Sequence, residues 1–526
     1  MKALTKNCFL GLLCLFGSKT YSQVASPPAT TGPETAPAPV VVYGEIKAYH
    51  DIDEIELWVW KEHFGYYATW PEPQVYKTKT QKGNLLRASM GMKIFFFQLP
   101  AIDKPVYIQL KSNNDKYFDS YLAAPGDSLR VRIDLTLGNT VFSGPDADKY
   151  ELQYELYRTN STERFKQPLS MVTTDKKAFL DRNDNRAQYA KAQSDTIRLG
   201  RYLHFEENST ELIPDLLKAL ALDYRQCPAY QSLLSQEKEY PDYLLETLEA
   251  DILSKQYTRY LSQLNKISPA DRARYQEEIK SIIDQLPEGT FTVDTKVRSP
   301  YYRDYLLQKS LAQAYASHQP IMDRLLGIAP DPLRDRVVAK YLLLYARIMD
   351  EPEKQFKQAF SFISTPWIKD KLTAYAASRS AGMPVYDFKL KTLEGNTVTP
   401  EDLAGKVVLI DFWYTGCKAC IIYFRETLSK LEDHYRDNDR FVVLSVSADS
   451  DPDTWQKSAI GNRYSSATAL NVTTSGTEHP LLAHYDIKSY PYQILMDPKG
   501  KIIQIGSVKG PLEELTRIID NHLDVR

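Results

Sequence analysis

Cysteine is scarce in this chain, with five in 526 residues. Cys8 and Cys14 fall within the first 22 residues, which leaves Cys227, Cys417 and Cys420 beyond them. One close pair and one outlier cannot make the disulfide framework of a stapled scaffold. Long apolar runs are missing too. The run Cys8 to Phe16 is too short for a bilayer, and no other segment approaches the roughly 20 residues a membrane span requires. Positive charge is not in excess, with 65 Lys and Arg against 67 Asp and Glu, so no basic surface for nucleic acid or anionic lipid is indicated. Neither a second Cys-x-x-Cys nor a nearby His pair completes a four-ligand zinc set, and no metal site is expected. No fixed repeat period emerges, so a solenoid reading has no support.

What is present points to export. Lys2 and Lys6, the apolar run and the small or polar residues Gly17 to Ser22 have the three-part form of a cleaved signal peptide over 1–22. Its removal takes Lys2, Lys6 and Lys19 and no acid, leaving 62 basic and 67 acidic residues, a net charge of −5. The expected location is the periplasm or cell envelope, without stable membrane insertion. Residues 23–39, rich in Pro, Ala and Thr, have too little apolar bulk for a core and read as a linker.

The length asks for about three domains. Over 40–145 short apolar runs are divided by turn signals such as Pro125-Gly126-Asp127, and Leu129, Val131, Ile133 and Leu135 alternate with Arg130, Arg132 and Asp134. This predicts an antiparallel β-sandwich. Over 146–380 the period becomes helical, as in Leu245, Leu248 and Ile252, with a capping signal at Ser268-Pro269-Ala270-Asp271, and the expectation is an all-α region. Over 383–526 it changes again. A short hairpin and the continuous apolar stretches Val407 to Ile410 and Phe441 to Ser447, joined through a helix, predict a βαβ unit. Tyr492 to Met496, Lys501 to Ile505 and a closing helix Leu512 to Leu523 follow.

Chemistry concentrates where the first of those buried strands ends. Cys417, Cys420, Phe424, Leu428 and Leu431 recur at helical spacing, so both cysteines open a helix. Unpaired N–H groups and a partial positive charge at a helix start favour a thiolate. Cys227 reads as a small hydrophobe, and His479 and His484 as surface and cap residues.

The Cys-x-x-Cys after a strand, the preceding Asp411-Phe412-Trp413 and the lone Pro491 ahead of the final hairpin resemble thioredoxin. The extension in front and the Ser447-to-Trp455 segment resemble its TlpA/ResA-like branch of envelope thiol–disulfide oxidoreductases. The resemblance covers about 383–526 and implies a C-terminal α/β thioredoxin-like fold. It departs from the family at Gly416, where a Trp is usual, at Ala419 in place of a frequent Pro, and at Tyr490 in place of Thr, Val or Ile. Substrate choice and potential are therefore not implied.

The resemblance implies a redox disulfide between Cys417 and Cys420, with Cys417 the exposed attacking thiolate and Cys420 the resolving thiol. Asp411, on the buried strand beneath, is the expected base, its pKa raised by an apolar setting. Trp413 walls the site, and Tyr490 and Pro491 present backbone to an extended substrate, with Pro491 at the family's cis position. Lys418 adds a positive charge. No metal or organic cofactor is implied. The partners are cysteine-containing envelope proteins and a membrane redox donor or acceptor, with no nucleic acid. Two alternatives stand beside this: a peroxiredoxin-like peroxidase, for which Thr415 sits two residues before Cys417 rather than three, and a non-catalytic envelope binding or assembly protein.

Overall fold

The computed structural model describes residues 36–65, 73–83, 92–112, 115–166, 169–172, 180, 183–198, 203–206, 212–346, 349, 351–506, 508 and 510–523. The expected signal peptide and all but the last four residues of the expected linker lie outside them.

Turn residues cut the first part into β1 (Val41–Lys47), β2 (Glu54–Trp60), β3 (Gln74–Lys79), β4 (Gln81–Lys82), β5 (Met92–Gln98), β6 (Val106–Ser112), β7 (Asp115–Ala123), β8 (Ser128–Asp134) and β9 (Asn139–Ser143). They form two sheets, ordered β4-β5-β1-β8-β9 and β3-β2-β6-β7. The alternation in β8 buries Leu129, Val131 and Ile133, which join Ile55 and Leu57 of β2 and Ile108 and Leu110 of β6 in one core. The expectation of a wholly antiparallel arrangement needs correcting, because β1 and β8 pair parallel. Alternation reports which face of a strand is buried and not the direction of its neighbour, and the whole of β2 to β7 supplies the long connection a parallel pair needs.

In the next part the prolines mark helix starts. Pro300 and Pro366 occupy the opening turns of the helices Pro300–Ser317 and Pro366–Ala377, where a missing N–H costs nothing. The predicted cap is present, with Ser268 Oγ accepting from the Asp271 N–H at 3.2 Å ahead of the helix Pro269–Ala273. The long helix Asp242–Lys266 packs against Pro300–Ser317 at the centre of this region. The region is not all-α, because β10 (Leu169–Val172) and β11 (Leu203–Glu206) form a parallel pair. Four-residue strands are too short to register a period. Phe64, from the loop after β2, is fully buried in the helical core, and its carbonyl accepts from Arg303 Nε at 2.9 Å.

The last part is one sheet of β12 (Leu390–Thr392), β13 (Thr397–Val398), β14 (Val407–Trp413), β15 (Phe441–Ser447), β16 (Leu470–Thr473), β17 (Tyr492–Met496) and β18 (Ile502–Ile505), in the order β13-β12-β16-β15-β14-β17-β18. Every residue of β14 is buried, as a central strand with both faces covered requires. It runs parallel to β15 and antiparallel to β17. Separate apolar clusters cover its two faces, Val408 and Ile410 belonging to one and Val407 and Leu409 to the other. The sequence reading contained no β16, which inserts between β15 and β12.

Candidate active site

Strand β14 delivers the chain to the cysteines. Beyond Trp413, three residues turn the backbone into the helix Lys418–Tyr423, with Cys417 as its N-cap. Cys417 Sγ accepts from the Cys420 N–H at 3.0 Å, which meets one of the unpaired donors at the helix start. The two sulfurs are joined in a disulfide, with their Cα atoms 5.3 Å apart. The helix runs on through a wider π turn, Phe424–Leu428, into Ser429–His434.

Cys417 was expected to be exposed and is not. It is 4% exposed and Cys420 1%, whereas Gly416, Lys418 and Ala419 around them are open to solvent. Aromatic packing is the reason. Trp413, Trp455 and Tyr464 form one buried cluster with both cysteines, and Leu393, Ile421 and Tyr490 pack against it. Trp413 is fully buried, stacked on Tyr464 with ring centroids 4.9 Å apart and planes at 3°, and its indole N–H donates to Ser445 Oγ at 2.7 Å. The Tyr464 hydroxyl accepts from the Gly416 N–H at 2.8 Å. Gly416 has φ +100°, where a side chain is strained, so the family's tryptophan at this position would need a different backbone.

A carboxylate ties down the loop ahead of Cys417. Asp449 accepts from the Thr415 N–H at 3.0 Å, from the Thr415 hydroxyl at 2.8 Å and from Ser447 Oγ at 2.9 Å. The Thr415 oxygen, its proton given to Asp449, accepts from Ser458 Oγ at 2.7 Å, on the helix Pro452–Ala459. Sequence reasoning missed Asp449, Trp455 and Tyr464 as parts of the site. The one signal for Asp449 and Trp455 was the Ser447-to-Trp455 segment, read there only as the approach to an inserted helix, and Tyr464 lies beyond it.

Asp411 lies six residues before Cys417 on β14 and is 1% exposed. Gln493, its register partner on β17, donates to Oδ1 at 2.8 Å, while Oδ2 is buried with no hydrogen-bond partner among the described residues. Burial raises its pKa to about 8, against the opposing effect of Gln493. It sits within electrostatic reach of Tyr423, three residues past Cys420. The Tyr490–Pro491 peptide is cis. Tyr490 meets Tyr414 edge-on at 5.4 Å, and burial pushes its hydroxyl up to about 12.

Of the remaining candidates, His479 Nδ1 accepts from the Leu481 N–H at 3.2 Å and caps the helix Pro480–His484, and His484 lies against Tyr386 at that helix's end. Cys227 is half-buried against the helical core, where burial raises its thiol pKa. Among the described residues no group of three or more His, Cys, Asp or Glu could hold a metal ion.

The family model described as Redoxin matches residues 380–519. Over 129 residues, 24% of this chain and 72% of the relative, the sequence is 30% identical to the thioredoxin-like protein YneN of Bacillus subtilis (strain 168). This chain belongs, through its C-terminal domain, to the TlpA/ResA-like branch of the thioredoxin superfamily. The thiol-disulfide oxidoreductase ResA of the same organism is 26% identical over 137 residues, covering 26% of this chain and 72% of ResA. Among solved structures, the thioredoxin domain of a thiol-disulfide oxidoreductase from Bacteroides vulgatus is 26% identical and covers 27% of this chain and 98% of that one, with a TM-score of 0.24. As a member of this branch, the chain is a thioredoxin-like thiol–disulfide oxidoreductase. No described helix is long and apolar enough to cross a membrane.

Proposed function

We propose that this is an exported oxidoreductase that exchanges disulfides with cysteine-containing proteins of the cell envelope through Cys417 and Cys420. The observation that carries this is the disulfide at a helix N-cap, one strand-end away from a buried carboxyl whose pKa lies in the working range. In the reducing direction the Cys417 thiolate attacks a substrate disulfide, a bond forms between Cys417 Sγ and one substrate sulfur, and the other leaves as a thiolate. Asp411 accepts the proton of Cys420, whose thiolate attacks Cys417 Sγ. The mixed disulfide breaks, the second substrate thiolate leaves, and two electrons have passed from the pair to the substrate. The oxidising direction is the same path reversed.

Trp413 acts as the wall of the site, and Tyr490 and Pro491 as the surface that meets an extended substrate segment. The cationic Lys418, inside the motif and next to the Cys417 thiolate, favours the reduced form. A redox partner at the membrane exchanges electrons with the pair. The Pro/Ala/Thr-rich stretch 23–39 follows a signal peptide cleaved after Ser22, and the domains are those expected over 40–145, 146–380 and 383–526.

The test is a redox titration in defined thiol–disulfide buffers, read by alkylation. Two thiols are expected to titrate together, at a potential within the roughly −270 to −120 mV range of this fold. Cys420→Ser is expected to trap mixed disulfides with envelope proteins, and Cys417→Ser to trap none. A pair that never exchanges, or trapping that is independent of Cys417, overturns the reading.

A further inference from the structure

A second site lies in the helical region. A cleft of about 740 Å³, including its open mouth, is lined by the ends of the helices Asp242–Lys266 and Pro300–Ser317, by Pro269–Ala273 and by Gln276–Gln285. Ile279 and Ala312 contribute apolar wall.

Arg272, on the same wall, is only 9% exposed. Its Nε and Nη1 are buried without hydrogen-bond partners, and it forms no ion pair among the described residues. What it has is the face of Tyr315, another lining residue, 4.1 Å from the ring centroid. Asn265 Oδ1 is also buried and unpartnered, while its amide donates to the carbonyl and side chain of Gln308, both at 2.9 Å.

Buried arginines in folded proteins are paired, because removing a guanidinium from water without a counter-charge is strongly unfavourable. Tyr315 covers one face of the cation, Nε and Nη1 are enclosed, and Nη2 is the donor left to hydrogen-bond an anion. An inorganic anion would leave the apolar walls unused, whereas a carboxylate carried on an apolar body uses both. We propose that this cleft binds an organic carboxylate with an apolar chain or ring, its carboxylate paired with Arg272 and its body against Ile279 and Ala312. The site is separate from the cysteines and does not depend on their chemistry.

The test uses the full chain with octanoate and 3-phenylpropionate as probes, followed by saturation-transfer NMR and thermal unfolding. Octanol, 3-phenylpropanol and inorganic phosphate are the controls. The two carboxylates are expected to bind saturably and raise Tm, and the controls to do neither. Arg272→Met is expected to retain the far-UV spectrum, the disulfide exchange and an unliganded Tm no lower than the parent, and to lose at least about tenfold in affinity. Gln276→Glu, which places a counter-ion inside the cleft, is expected to abolish binding. Failure of both carboxylates to bind, equal binding of the alcohols or of phosphate, or binding that survives both substitutions overturns the proposal.

Discussion

Asp411 shows how far one environment can move one group. Fully buried on a central strand, with a single amide donor from Gln493, its carboxyl titrates at about 8 rather than near 4. A carboxyl whose folded pKa is raised stabilises the fold while protonated. That contribution is complete below about pH 4 and is lost progressively as pH rises through about 8. Denaturant unfolding of the oxidised protein is therefore expected to give lower stability at pH 8 than at pH 5. The upper bound over those three pH units is roughly 4 kcal/mol, at about 1.4 kcal/mol per pH unit. Asp411→Asn is expected to flatten that slope and to slow the resolving step by about 10²-fold, the lower end of general-base effects. A variant with the parent's pH slope would show that the carboxyl is not the titrating group. The sequence indicated this residue because an acid stands in an otherwise apolar run. It could not indicate Gln493, which lies 82 residues away and meets Asp411 only through strand register.

At the scale of elements, the loop between β14 and the cysteine helix is tied to Asp449, two residues past the end of β15, as well as to its own backbone and to Tyr464. Asp449→Ala removes acceptors from Thr415 and Ser447 together. It is expected to lower stability by about 1.5–3 kcal/mol, the range for hydrogen bonds to a charged group. Once the pair is reduced, a loosened loop should also let iodoacetamide reach Cys417 faster than in the parent. Unchanged alkylation would mean that the loop keeps its place without the carboxylate. The helical run after Cys417 and the continuous apolar runs of β14 and β15 were legible because each is long enough to show its period. Strand β16, Leu-Asn-Val-Thr with two of four residues buried, carries no such signature and exists because β15 and β12 both need a partner there. The aromatic wall of Trp413, Trp455 and Tyr464 was hidden for a similar reason, since its members lie on separate elements.

Across the molecule, the buried clusters around Cys417 and Cys420 contain only residues from Val385 onward, whereas Phe64 of the β part sits inside the core of the helical part. The first two parts are thus coupled by a fully buried ring that packs against Trp367 at a tilt of 32°, with centroids 5.0 Å apart, and by the Arg336–Glu62 pair at 2.6 Å. Phe64→Ala is expected to destabilise the first 380 residues by about 3–5 kcal/mol, the cost of emptying a large aromatic site. The same substitution should leave the Cys417/Cys420 potential unchanged. Calorimetry and redox titration of the one variant check both halves, and a shifted potential would reveal coupling that the core clusters do not contain.

Composition, periodicity and one motif were enough to locate the cysteine pair, the strand beneath it, the helix that begins at it and the helical character of the middle region. These are local properties, written within a few turns of helix or one strand. Tertiary structure alone decided that β1 and β8 run parallel, that β10 and β11 pair, that the sulfurs are enclosed by aromatics rather than exposed, and that Asp449 holds the loop. Each of those depends on which distant segments become neighbours. That is fixed by how the faces of the sheets and helices fill a common core, and no window along the chain contains it.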